Sequence, residues 1–320
     1  MGNIIVTGAA GFIGSNLVKH LLHFTSHNIL ALDNLSLGKK ENLNLENSRV
    51  IFREIDIASE RDLKEKLLEF EDADIHSLWH MAANSDIPAG VEDSALDFRN
   101  TFLTTYRITE FLKNKNIKEI HFASSSAVYG NHGIKKISED TGPLLPISNY
   151  GSFKLSSEAF LSSIVEESDA KLFIYRFPNV VGTPATHGVI YDFISRLKKD
   201  PEILYVKGNG TQRKQYLFVE DLIKGMIIAS KELKDQRNII NIGPNDDGIT
   251  VKEIAELTVK EYGMKSRIIF GESTRGWKGD IPKFKYDISK LESIGWIPIY
   301  NSSSEAILKA IKEIINQICK

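Results

Sequence analysis

With 320 residues, 42% of them hydrophobic and 26% charged, the chain has the composition of a globular protein able to bury a core without disulfides. A formal net charge of −2 argues against a nucleic-acid partner, and no apolar run reaches the roughly 20 residues of a membrane span, so neither nucleic acid nor membrane is expected. The single cysteine, Cys319, allows no intrachain disulfide or cysteine-cluster metal site, and Met1 leads straight into NIIVTGAAG without a secretory pattern, so the expected location is cytoplasmic.

Ile4-Ile5-Val6 predicts a short strand that stops at Thr7-Gly8, after which Phe12, Ile13, Leu17, Val18, Leu21 and Leu22 recur at helical spacing. A second apolar run from Asn28 ends at Asp33 and completes a strand, helix, strand unit. The alternation continues with a strand over 50–55, a helix over 60–70, a strand over 75–80, a long helix over 95–113 and a strand over 117–123. A helix starting near Tyr150 and a strand over 171–176 follow. This order predicts an α/β fold, a doubly wound parallel sheet covered on both faces. From Phe177 onward prolines and glycines punctuate shorter elements, which predicts a smaller α+β lobe. We therefore expect a Rossmann domain over 1–175, rejoined near 214–242 where Ile239-Ile240-Asn241 reads as a strand. The lobe over 176–320 should close with a helix whose apolar face carries Ile307, Leu308, Ile311, Ile314, Ile315 and Ile318.

Gly8-Ala-Ala-Gly11-Phe12-Ile13-Gly14 lies between the first strand and the first helix, the context of a dinucleotide-binding turn. Gly8 makes the tight turn, Gly11 lets backbone amides approach a pyrophosphate, and Gly14 lets helix and sheet pack closely; the phosphates then meet the positive end of the helix. Asp33, ending the second strand, stands where a carboxylate receives the adenosine ribose hydroxyls. It repels a 2′-phosphate, and no Lys or Arg follows until Lys39, so the expected cofactor is NAD.

Tyr150 and Lys154, four residues apart, share one helix face. A tyrosine with an ordinary pKa of about 10 is a poor base at neutral pH, and a neighbouring ammonium favours its phenolate. The run Ser124-Ser125-Ser126-Ala127-Val128-Tyr129-Gly130 ends the strand just before this pair, and chemistry in a doubly wound sheet belongs beyond the carboxyl ends of the strands.

Five motifs, in order, resemble those of the extended short-chain dehydrogenase/reductases, in their NAD-dependent nucleotide-sugar epimerase/dehydratase branch. They are the glycine turn with Thr7, His80-Met-Ala-Ala-Asn84, SSSAVYG, Tyr150-x-x-x-Lys154 and Arg176-Phe-Pro-Asn179-Val-Val-Gly182. The resemblance implies that Asp33 and Asn34 hold the adenosine ribose, Asp56 and Ile57 border the adenine, and Ala82 and Ala83 flank the cofactor. It also makes Tyr150 the base, Lys154 its partner and a ligand of the nicotinamide ribose, and Ser125 the catalytic hydroxyl. Asn84, Ser85 and Ser126 are expected to line the sugar pocket. Asn179, His187, and the cations Arg213, Lys214 and Arg275 are the candidates for the sugar nucleotide's phosphates and sugar. A homodimer through helices near 95–113 and 150–165 is also implied.

In the family's 4,6-dehydratases the catalytic hydroxyl residue is typically followed by Asp-Glu, an acid and a base. Here Ser126-Ala127 follows Ser125, which disfavours dehydration. The expected activity is therefore 4-epimerisation of a nucleoside-diphosphate sugar, of the UDP-glucose/galactose type, through C4 oxidation and hydride return. The alternative is a net 4-dehydrogenase or reductase acting on a hexose or heptose nucleotide. From another class, a non-catalytic NAD-sensing regulator is disfavoured because such proteins commonly lose the Tyr and Lys kept here.

Overall fold

The computed structural model describes residues 2–133, 135–273 and 285–319. The chain divides into two compact units, the first made of Met1–Gly130, Gly142–Arg176 and Ala229–Ile240, the second of Asn131–Thr141, Phe177–Ile228 and Asn241–Lys320. The first unit is built on β1 (Asn3–Thr7), β2 (Asn28–Asp33), β3 (Val50–Glu54), β4 (Ile75–His80), β5 (Glu119–Ala123), β6 (Lys171–Arg176) and β7 (Arg237–Asn241). Their order across the sheet is β7-β6-β5-β4-β1-β2-β3, with β1 to β6 paired in parallel.

These strands read as continuous apolar runs because both faces are covered. On one face Ile5, Leu30, Leu78, Phe122 and Ile174 form a core with Leu63 of α2 (Glu60–Lys66), Ile108 of α3 (Thr104–Leu112) and Leu161 of α4 (Asn149–Glu166). On the alternate positions Trp79, His121 and Phe173 are buried and stacked, with ring centroids 3.7 and 4.9 Å apart. The strand order reverses between β1 and β4, whose ends meet as Thr7 against His80. That is the switch point at which ligands bind in such sheets.

Two predicted helices differ in the structure. The helix expected over 60–70 ends at Lys66 and is followed by a 3₁₀ turn, Leu68–Phe70. The helix expected over 95–113 is a short turn, Ser94–Asp97, then a π-helical stretch, Phe98–Leu103, before α3. Threonine hydroxyls at the start of α3 bond carbonyls of the π-helical stretch, Thr104 to Asn100 at 3.1 Å and Thr105 to Thr101 at 2.8 Å, a habit that bends helices.

In the second unit α5 (Val189–Lys199), α6 (Val251–Tyr262) and α7 (Ser303–Cys319) pack together beside four two-stranded ladders. Thr250 and Glu253 form a reciprocal capping box on α6. Trp296 is buried and its indole donates to the Asp221 carbonyl. Among the described residues no helix is long and apolar enough to cross a membrane, and no group of three His, Cys, Asp or Glu is arranged to hold a metal ion.

Candidate active site

The glycine turn sits at the switch point in the first unit. Gly8 has φ +64°, and a Cβ there would lie 2.9 Å from the Ala82 amide nitrogen. At Gly14 a Cβ would lie 2.0 Å from the Gly8 carbonyl oxygen, so helix and turn approach closely only because no side chain intervenes. Gly11 is the N-cap of α1 (Phe12–Phe24), whose first turn has neither a side-chain cap nor an acidic residue.

Asp33 is buried, and its carboxylate accepts from the Ala10 amide at 2.9 Å and the Leu35 amide at 2.8 Å. Burial pushes its pKa up, against the pull of those backbone N–H groups. Asn34 is exposed beside it. Asp56 is paired with Arg99, and Ile57 is buried. The Ala82 amide donates to the Thr7 hydroxyl at 3.2 Å, and Ala83 is partly exposed.

Ser125 follows β5 as the N-cap of a 3₁₀ turn, Ser126–Tyr129, and accepts from the Ala127 amide at 3.2 Å. Of the three serines, Ser124 is fully buried and donates to Glu158, while Ser125 and Ser126 are partly exposed. Ser148 caps α4 by accepting from Gly151 at 3.1 Å, which sets Tyr150 in the helix's first turn. Burial pushes the Tyr150 hydroxyl up to about 12; the neighbouring Ser125 hydroxyl pulls it down and the Asp97 charge pushes it up further.

Lys154 is buried, and its Nζ donates to the Ala123 carbonyl. The ammonium lies 4.7 Å from the Phe122 ring centroid and 5.8 Å from that of Tyr150. Burial pulls its pKa down to about 7, opposed by the nearby Glu158.

Behind these groups lies a polar layer that sequence reasoning missed. His80 bonds Thr7 at 2.7 Å and Thr105 at 3.0 Å, and Thr105 bonds Ser157 of α4 at 3.2 Å, so the ends of β1 and β4 are tied to α4. Burial holds His80 at about 3, a neutral imidazole. Asp97 is also sealed from solvent: Oδ1 accepts from Asn84 at 2.8 Å, while Oδ2 has no partner among the described residues and lies where a Cβ on Gly90 would be. The Asn84 amide is thereby spent inward, on Asp97 and the Asp86 carbonyl, and Ser85 is exposed. A histidine inside an apolar strand and an acid next to Phe98 were the available signals.

In the second unit Asn179 is exposed at the start of a three-residue strand, and exposed His187 bonds the Thr186 hydroxyl at 2.9 Å. Arg213 donates to the Gly248 carbonyl at 2.6 Å and reaches Glu253 at 3.4 Å. Lys214 is its neighbour in the ladder with Ile249–Thr250. Arg275 and Trp277 lie outside the described residues. A groove of about 360 Å³ lined by Arg196, Tyr205, Lys207, Ile269 and Phe270 contains none of the residues singled out by sequence.

The first unit's residues fit a dinucleotide. The α1 amides are left open to an anion, Gly11 presents no side chain there, and the Lys154 ammonium has more N–H groups than the single Ala123 carbonyl satisfies.

The chain matches the model of the NAD dependent epimerase/dehydratase family over residues 4–243. It is 30% identical to a putative UDP-glucose 4-epimerase of Methanocaldococcus jannaschii, covering 98% of this chain and 97% of that one. Among solved structures it is similar to the Thermus thermophilus UDP-glucose 4-epimerase complex with NAD, with TM-score 0.85, 28% identity and coverage of 99% and 100%. It is also similar to the UDP-N-acetylglucosamine 4-epimerase of Methanobrevibacter ruminantium in complex with UDP-N-acetylmuramic acid, with TM-score 0.82, 28% identity and 99% of both chains covered.

Proposed function

The chain belongs to the NAD-dependent epimerase/dehydratase family, as an NAD-dependent enzyme of the nucleotide-sugar 4-epimerase kind, and from that premise we propose that it interconverts the C4 epimers of a UDP-hexose, as in UDP-glucose and UDP-galactose. The observation that carries this reading is the gathering of Ser125, at the carboxyl end of β5, with Tyr150 and the buried Lys154, whose ammonium lies 5.8 Å from the Tyr150 ring centroid.

Tyr150 takes the proton of the sugar C4 hydroxyl while Ser125 hydrogen-bonds the same oxygen and holds the phenol toward it. NAD, when bound, would supply the hydride acceptor for C4 and the donor for its return to the opposite face, with no net use of cofactor. Tyr150 gives its proton back to the C4 oxygen of the inverted carbon. Lys154 lends positive charge to the phenolate and donates to the nicotinamide ribose. We assign the adenosine end to Asp33, Asn34, Asp56 and Ile57, with Ala82 and Ala83 against the cofactor. In the second unit Asn179, Arg213 and Lys214 are assigned to the diphosphate.

We also assign the homodimer contact to the aromatic row of Phe98, Phe102, Phe153 and Phe160, in which Phe98 is 43% exposed. Light scattering should give twice the chain mass.

The deciding experiment is incubation with UDP-, GDP-, CDP- and dTDP-sugars, following reduced nicotinamide by absorbance and the product by NMR. A C4-inverted UDP-hexose without accumulated NADH is expected. Stoichiometric NADH with a keto sugar would replace epimerisation by net dehydrogenation.

A further inference from the structure

The inward face of α4 carries chemistry one turn beyond the Tyr150 and Lys154 pair. Glu158, four residues after Lys154, is only 4% exposed, and Arg176 at the end of β6 is 2% exposed. The two form a two-pronged ion pair, Nε to Oε1 at 3.0 Å and Nη2 to Oε2 at 2.6 Å. Ser124 donates to the same Oε1, and the guanidinium lies 4.8 Å from the Tyr129 ring centroid. One carboxylate thus joins the catalytic helix to the ends of β5 and β6, and its serine partner immediately precedes Ser125. A buried ion pair is weak evidence of stabilisation, which turns attention to what it does for its neighbours.

The neighbours of Lys154 define that task. On its own helix stand Tyr150 and Glu158. From β4 comes His80, which is neutral; from β5 come the Ala123 carbonyl and the Phe122 ring; from β6 comes Arg176, engaged by Glu158. Asp97 faces Tyr150. Glu158 is therefore the carboxylate one turn from a dry ammonium, and Arg176 fixes its position with two hydrogen bonds.

We propose that Glu158 and Arg176 are positioning residues for the 4-epimerase reaction: the Arg176-fixed carboxylate keeps Lys154 charged beside Tyr150 and, through Ser124, holds Ser125 at the phenol. This rests on the reading of Tyr150 and Lys154 as the catalytic pair.

The test is a titration of Lys154 itself, by NMR of protein labelled at lysine Cε, with its signal identified by its loss in Lys154→Met. In the wild type the midpoint is expected at about 7. Glu158→Gln, which keeps shape and hydrogen bonding but removes the charge, should lower that midpoint by about one pH unit or more. The alkaline limb of kcat should move down with it. Glu158→Asp, shorter but charged, should restore the wild-type midpoint. A purely structural clamp makes the opposite forecast, with Gln tolerated and Asp impaired, and that result would overturn the proposal. If Glu158→Gln leaves Arg176 too poorly compensated to fold, Glu158→Gln/Arg176→Met removes both charges. An unchanged Lys154 midpoint in that protein is equally fatal. Because the titration needs no turnover, absence of activity on every nucleotide sugar would refute the proposed function while the Lys154 midpoints still decide the role of Glu158.

Discussion

Replacing Gly151 by Ala tests how closely the catalytic helix must approach the serine turn. Gly151 follows Tyr150, and a Cβ there would lie 2.6 Å from the Ala127 carbonyl oxygen and 3.0 Å from the Pro146 Cβ. Carbon and oxygen do not pack that tightly in a dense interior, so the start of α4 must retreat by about half an ångström. The same turn is capped by Ser125, so its hydroxyl would move away from Tyr150 as the gap widens. Alanine's better helix propensity, worth about 1 kcal/mol over glycine, offsets much of the strain, so stability should change by no more than about 2 kcal/mol. Catalysis should suffer far more, because misplacement approaching 1 Å at reacting groups costs on the order of 10²-fold. Steady-state kcat on the epimerised sugar, compared with urea unfolding and NAD binding for both proteins, separates these effects. A variant that folds, binds NAD and keeps kcat within about twofold of wild type would show that the contact between helix and serine turn does not position the base.

Tyr150→Phe should lower kcat by about 10²- to 10⁴-fold with NAD binding retained, read from turnover and from cofactor co-purifying with the protein; activity within tenfold of wild type would place the base elsewhere. Asp97→Asn removes the negative charge that pushes Tyr150 up, so the acid limb of the kcat profile should move to lower pH, and a limb that stays or rises contradicts the assignment. Lys154→Met should abolish turnover yet stabilise the protein near neutral pH by a few kcal/mol. The folded Lys154 pKa, about 7, lies below its unfolded value, so between the two the unfolded chain binds more protons and wild-type stability rises with pH. Urea melts should show the gap between variant and wild type closing from pH 7 toward pH 10.

The parts of the site legible in the sequence are those whose chemistry is written in adjacent residues. Gly8, Gly11 and Gly14 lie within seven residues of one another, and Tyr150 and Lys154 within five, so turn and helix periodicity alone place them. The parallel sheet follows from the alternation of apolar runs with helical segments. The polar layer beneath was not legible, because Thr7 and His80 meet across 73 residues, and Thr105 and Ser157 across 52. Each looks like an ordinary polar residue until the sheet brings the ends of its strands together. Glu158 left a faint signal, being on the face of Tyr150 and Lys154, but its meaning depends on Arg176, which arrives from β6. The partners of Arg213, Gly248 and Glu253, were likewise not legible, because a short ladder and a helix cap bring them from 35 and 40 residues away.

The fate of the 4-keto sugar follows from what else in the first unit can move a proton. Elimination of water across C5 and C6 needs an acid and a base within reach of the ring. Ser126 and Ala127, the two positions after Ser125, provide neither. Asp97 is sealed from solvent behind Gly90, and Asp86 is occupied as the N-cap of Ile87–Glu92, accepting from Ala89 at 3.1 Å. Glu158 is held by Arg176 and Ser124. Asp97 is thus closed off from solvent and Glu158 is held by two partners, while on the proposed reading Tyr150 and Ser125 serve the C4 oxygen. A ketone formed beside such a set has hydride return as its chemical exit, and inversion then depends on which face of the ring it presents.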